Sequence, residues 1–130
     1  MNEFAAKVWL EKAWHNLSAA KVLFEANHFS DVIAVEIHYA LEKIFKAYLA
    51  YENRKIPRTH DLVELSTYIE HYRVFEDKEI DILEIASDYH IEAAYPVFER
   101  SEISYEELSK VIDFTQNFFD QTINILGIKI

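Results

Sequence analysis

Cysteine is absent from the 130 residues. Its absence excludes disulfides, thiol nucleophiles and Cys-ligated metals, and it fits a cytoplasmic location. Glycine occurs once and proline twice. So little punctuation argues against strands and tight turns, and a single glycine cannot build a Gly-rich phosphate loop. No apolar run reaches the ~18 residues of a membrane span. The opening stretch, MNEFAAKVWLEKAWHNL, lacks the basic-then-apolar pattern of an export signal. These absences lead us to expect a cytoplasmic protein without membrane association.

What is present favours helices. Hydrophobic residues make up 51% and charged residues 28% of the chain, a mixture suited to long amphipathic helices with short loops. A chain of this length forms one domain, residues 1–130, and buries roughly two thirds of its unfolded surface. It needs no metal for stability. The expected fold is all-α, an up-and-down bundle of four to five helices.

The net charge of −10 is unevenly spread. Residues 1–42 carry three basic and six acidic groups, and residues 61–130 carry five and sixteen. Residues 43–60 reverse the sign, with Lys43, Lys46, Arg54, Lys55 and Arg58 against Glu52 alone. An acidic protein repels nucleic acid at long range. A compact basic island on it could still hold a phosphate, although a solvated loop would look the same.

The stretch from Asp31 to Asn53 organises the rest. At about 100° per residue, Ile33, Ala34, Ile37, Ala40, Leu41, Ile44, Phe45, Tyr48 and Tyr51 fill an arc of roughly 140°. The opposite face mixes Asp31, Glu36, His38, Glu42, Lys43 and Lys46 with small and aromatic residues. This predicts a central helix whose second face is a solvated edge or borders a groove or partner. Before it, Ala6, Leu10, Ala13, Leu17, Ala20 and Phe24 form the stripe of a first helix, about Glu3–Ala26. Trp9 and Trp14 lie off that stripe, as extra core or as contacts to a second copy. Ser30 is the expected N-cap of the central helix.

After the RKIPR loop, Thr59 is the expected cap of a third helix, about His60–Tyr72. The N–H groups of its first turn would favour an anion near Arg54 and Arg58. A fourth helix is expected over Lys78–Ala93, capped by Asp77 and ended by Pro96. Val97–Ile103 connects it to a fifth. There Ser104 and Glu107 form a capping box and Gly127 supplies the left-handed stop after Leu126.

The search for chemistry is less productive. None of the six His pairs with another at i,i+3 or i,i+4. His38 and Glu42 share i,i+4 spacing, and Glu25 with His28 is the one Glu-x-x-His match. A di-metal bundle would want that motif on two helices, so no metal and no cofactor is expected. No nucleophile elbow is present. An Arg–His pair could stabilise a pentavalent phosphate and move protons during RNA cleavage. Arg54 and His60 straddle Pro57 rather than share a helix, which makes two ordinary surface residues the simpler reading.

The segments VEIHYALEKIFKAYL (35–49), IPRTHDLVEL (56–65) and DYHIEAAYP (88–96), in this order, resemble a HEPN domain. Ala40, Glu42, Lys43, Lys46, Ala47 and Leu49 match the family's central helix, and Thr59, His60, Asp61 and Leu62 match its T-H-D-L entry. The resemblance implies an all-α bundle, commonly a homodimer. Such proteins are often encoded beside a minimal nucleotidyltransferase as toxin–antitoxin pairs. Some are ribonucleases that use an Arg followed by a His on the late helix. Here Ala94 stands where that Arg is expected, Arg100 has no His after it, and His38-Tyr39 replaces a usual Gln-Gln pair. The expectation is therefore a nucleotide- or RNA-binding module, or a nucleotidyltransferase partner, without an intact ribonuclease motif. Its phosphate contacts would be Lys43, Lys46, Arg54, Arg58 and His60. The alternatives are a metal-independent ribonuclease using Arg58 and His60, and a structural homodimer without ligand.

Overall fold

The computed structural model describes residues 1–96 and 102–130. It is an all-α bundle: α1 (Glu3–Glu25), α2 (Ser30–Tyr51), the short α3 (Leu62–Thr67), α4 (Asp77–Asp88) running into a π-helical turn (Tyr89–Ala93), and α5 (Tyr105–Leu126). Among the described residues there are no strands. Most of the Val97–Ile103 connection, Arg100 included, lies outside the described residues.

Helix α2 packs against every other element, and α1 is its most extensive partner. The two run antiparallel, because the Asn2 backbone N–H donates to the Tyr51 carbonyl at 2.8 Å. At the other end, the Tyr105 hydroxyl donates to the His28 carbonyl. Helix α5 therefore starts beside the α1–α2 turn and lies alongside α2. The predicted arc of α2 from Ile33 to Tyr48 is wholly buried, and so is the α1 stripe from Ala6 to Ala20. Alanine at 6, 13 and 20 lets α1 approach closely. Trp14 settles against Phe119 of α5, with ring centroids 5.6 Å apart, and Trp9 packs on the same core. An aromatic group of Phe45, Tyr48, Phe75 and Phe118 fills the centre. Thr122 spends its hydroxyl hydrogen on the Phe118 carbonyl at 2.7 Å. Tyr48 must then be the donor in its 2.8 Å bond to Thr122.

With one glycine to use, the chain ends two of its helices on asparagine. Asn27 (φ 57°) and Asn53 (φ 56°) take the left-handed conformation that Gly127 (φ 65°) takes after α5. In all three places the next residue's N–H reaches back five positions: His28 to Leu23, Arg54 to Leu49 and Ile128 to Ile123. This is the Schellman closure, and Asn tolerates it better than other non-glycine residues.

Several expected boundaries shift. Helix α2 begins at Ser30 itself, with Phe29 before it and no side-chain cap. Helix α3 begins at Leu62 rather than His60. Asp61 is its cap, accepting from Val63 N at 3.0 Å and Glu64 N at 3.1 Å. An aspartate outcompetes the preceding threonine here, because its carboxylate reaches two N–H groups at once. The first-turn N–H groups expected to favour an anion are thus taken by the chain's own carboxylate. Helix α4 is preceded by Glu76, whose N–H donates to Glu79 at 3.0 Å, so Asp77 lies inside the helix. Ser104 caps α5 as expected, accepting from Glu107 N at 3.1 Å.

Candidate functional site

The mixed face of α2 holds the polar centre of the molecule. His38, Glu42 and Lys46 succeed one another at four-residue steps, which stacks them along one line of the helix. All three are buried. Lys46 Nζ donates to Glu42 Oε2 at 3.1 Å. The other carboxylate oxygen, Oε1, accepts from His60 Nδ1 at 2.6 Å and lies 3.4 Å from His38 Nε2. Burial alone would raise the Glu42 carboxyl. Hydrogen bonds from His60 and Lys46, with the Lys46 charge and the His38 ring 3.4 Å away, outweigh it and carry the group down to about 2.

Three separate segments bring these groups together. The loop before α3 supplies His60, and α4 holds that loop in place: Leu62 N donates to Ser87 Oγ at 3.1 Å. The end of α4 also supplies the Ala86 carbonyl, 2.9 Å from His38 Nδ1. The π-helical turn then swings His90 over the cluster. Its ring stacks on His60 with centroids 4.0 Å apart and faces His38 at 5.3 Å. Burial, together with His60 and His38, pushes His90 below its ordinary value. A π turn widens the helix by one residue per turn and is frequent at functional sites. His38, Glu42 and His60 each present one potential ligand atom, and these atoms lie within 4.8 Å of one another. Among the described residues they form a group that could hold a metal.

The basic island divides. Arg54 and Arg58 line one cavity of about 620 Å³ together with Leu49, Lys55, Ile56, Pro57 and Tyr68. Arg54 is anchored there, donating to the Tyr68 carbonyl at 2.9 Å and to Glu52 at 3.3 Å. No described residue forms a hydrogen bond or ion pair with the side chains of Lys55 or Arg58. Lys43 points elsewhere, donating to Asn16 of α1 at 2.7 Å. Lys46 and His60 belong to the Glu42 cluster. The five basic residues singled out from the sequence thus occupy three places rather than one groove.

Glu52, the residue after α2, gathers a second set of donors: His71 at 2.9 Å, Tyr72 at 3.1 Å and Arg54. Desolvation raises its carboxyl, but these hydrogen bonds outweigh that and lower it below the ordinary value. Burial and the neighbouring Glu52 carboxylate push the Tyr72 hydroxyl up to about 12.

Ala94 borders a shallow hollow of about 270 Å³ whose other lining residues are Asp31, Val32, Val35, Glu36 and Ala93. Among the described residues two carboxylates and no cation line it. In the sequence the His38–Glu42 pair is set aside for its commonness, and His90 is not singled out. The i,i+4,i+8 series 38–42–46 was a usable signal. Nothing local pointed from His90 to His60.

Comparison with known proteins agrees with this architecture. The HEPN domain model matches residues 6–126. The crystal structure of TT1696, from Thermus thermophilus, superposes with a TM-score of 0.77 at 17% identity, covering 96% of this chain and 99% of that one. ST0689, described as an archaeal HEPN homologue, superposes at 0.65 and 14% identity, covering 93% and 97%. Identities this low show the shared fold alone. No curated protein matches the sequence. With the family pattern spanning nearly the whole bundle, the chain belongs to the HEPN domain family.

Proposed function

We propose that this chain is a HEPN module that binds a phosphate-bearing ligand, a nucleotide or RNA, without cleaving it. The observation that carries the reading is the Arg54–Lys55–Arg58 cavity. It sets three cations beside apolar Leu49, Ile56 and Pro57 and the ring of Tyr68 on an otherwise acidic protein. Guanidinium groups suit phosphate oxygens, and an aromatic wall suits a base. Arg54, already tied to Tyr68, supplies a fixed side of the cavity, and Arg58 supplies the uncommitted charge. Ala94 in place of the expected Arg, beside the carboxylates of Asp31 and Glu36, supports a module that does not cleave RNA. A homodimer and a partnership with a minimal nucleotidyltransferase, as in toxin–antitoxin pairs, belong to the same reading.

Calorimetric titration with ATP and with a short RNA tests it. Wild type should give heat for at least one of them, and Arg58→Ala should bind about tenfold or more weakly, the loss of one charged hydrogen bond. Absence of heat for both ligands at high concentration would sink the proposal.

One observation favours a second reading, a metal-independent ribonuclease. His60 is half exposed and its Nδ1 is held by Glu42, which orients the ring as a general base would be oriented. Induced expression should then arrest growth, and His60→Ala should relieve the arrest.

A further inference from the structure

The Glu42 cluster contains a mismatch that its hydrogen bonds do not resolve. His38 is completely buried, and its Nδ1 lies 2.9 Å from the Ala86 carbonyl. A carbonyl can only accept, so Nδ1 carries the hydrogen. In the neutral ring Nε2 is then a bare lone pair. It has no hydrogen-bond partner, yet it points at Glu42 Oε1, 3.4 Å away. An acceptor thus faces an acceptor inside the protein. A positive centre between them, a proton or a metal ion, removes the conflict.

We propose that His38 Nε2, Glu42 Oε1 and His60 form a binding site for a divalent transition-metal ion of the zinc class. The donor set is two imidazoles and one carboxylate, the combination that zinc and its neighbours favour over magnesium or calcium. Donors about 2.0–2.1 Å from a tetrahedral ion lie roughly 3.3 Å apart. The His38–Glu42 separation of 3.4 Å already has that spacing. His60 approaches Glu42 more closely, at 2.6 Å, because a proton joins them. The ion takes the place of that Nδ1 proton, which leaves to solvent, and the half-exposed ring opens outward by under an ångström.

The surroundings are those of a prepared site. The Ala86 carbonyl fixes the His38 tautomer, as carbonyl partners do for metal-bound histidines. Lys46 occupies Glu42 Oε2, which leaves one carboxylate oxygen for the ion. His90, stacked at 4.0 Å, shields the outer side of His60. Three protein ligands leave a fourth position for water or a small ligand, as in zinc sites that do chemistry. The inference stands on the Glu42 cluster alone and is independent of the Arg54–Arg58 cavity.

The test is direct titration of chelator-treated, full-length protein with Zn²⁺ by calorimetry, and with Co²⁺ by visible absorption. Wild type should bind one Zn²⁺ per chain and give the intense ligand-field bands of tetrahedral Co²⁺. His60→Ala, at the half-exposed side of the cluster, should keep the wild-type helical circular dichroism without metal and bind Zn²⁺ at least ~100-fold more weakly. His71→Ala, which removes the histidine beside Glu52, should leave Zn²⁺ binding unchanged. The proposal is overturned if wild type binds no stoichiometric Zn²⁺. It is also overturned if His60→Ala binds as wild type does, or if His71→Ala weakens binding as much as His60→Ala.

Discussion

Two glutamates ten positions apart, Glu42 in α2 and Glu52 just after it, do the same thing in different surroundings. Glu42 gathers His38, His60 and Lys46. Glu52 gathers His71, Tyr72 and Arg54. Glu42, His38 and Lys46 lie in the bundle interior, where water cannot substitute for a lost partner, and His60 alone of the first set is half exposed. The second set lies at the rim, where water can. The inner region is closed around a carboxylate and a lone pair, a chemistry that favours cations. The outer region continues into the cavity of Lys55 and Arg58, a chemistry that favours anions. Proximity in sequence, from Glu42 to Arg58, therefore conceals two surroundings of opposite charge character.

The sharpest way to break this comparison is to remove each carboxylate in turn. Glu42→Ala leaves Lys46 buried without its counter-charge and should cost about 3–5 kcal/mol in urea unfolding. An equal loss from both glutamates would erase the distinction. Acid should act on the same group. The folded Glu42 value lies near 2, below its ordinary 4.5. Its stabilisation is thus complete above about pH 4.5 and is lost as pH falls toward 2. That difference corresponds to about 3 kcal/mol, and urea midpoints measured from pH 6 down to 2 should show it in wild type and not in Glu42→Ala. Glu52→Ala should cost about 1 kcal/mol or less, in line with exposed ion pairs. Smallest of all, Arg58→Ala should change stability by no more than about 0.5 kcal/mol while weakening nucleotide binding.

Much of the bundle was legible in the residues. The apolar arc of α2 and the stripe of α1 are buried as their periodicity indicates, and α5 starts at Ser104 and stops at Gly127. What failed to show was local competition and distant assembly. Thr59 and Asp61 are both good caps, and only the geometry of two simultaneous bonds favours Asp61. Pro96 marks a stop but gives no hint of the π-helical turn that aims His90. Spacing within helices spoke against metal coordination. His60 meets His38 and Glu42 from a loop that Ser87 ties down, and no spacing rule sees such a meeting. The basic island, too, was one feature in sequence. It becomes three places because Lys43 reaches across to Asn16 of α1, Lys46 turns back to Glu42, and Arg54 and Arg58 line the cavity beyond the helix.

The proposed binding of anions at the rim, apart from the Glu42 centre, is most directly tested by amide NMR during titration with ATP in the absence of divalent cations. The account predicts shifts at residues 54–56, 58 and 68, with the amides of His38, Glu42 and His60 unmoved. Shifts centred on His38, Glu42 and His60, or no shifts at all, would contradict it.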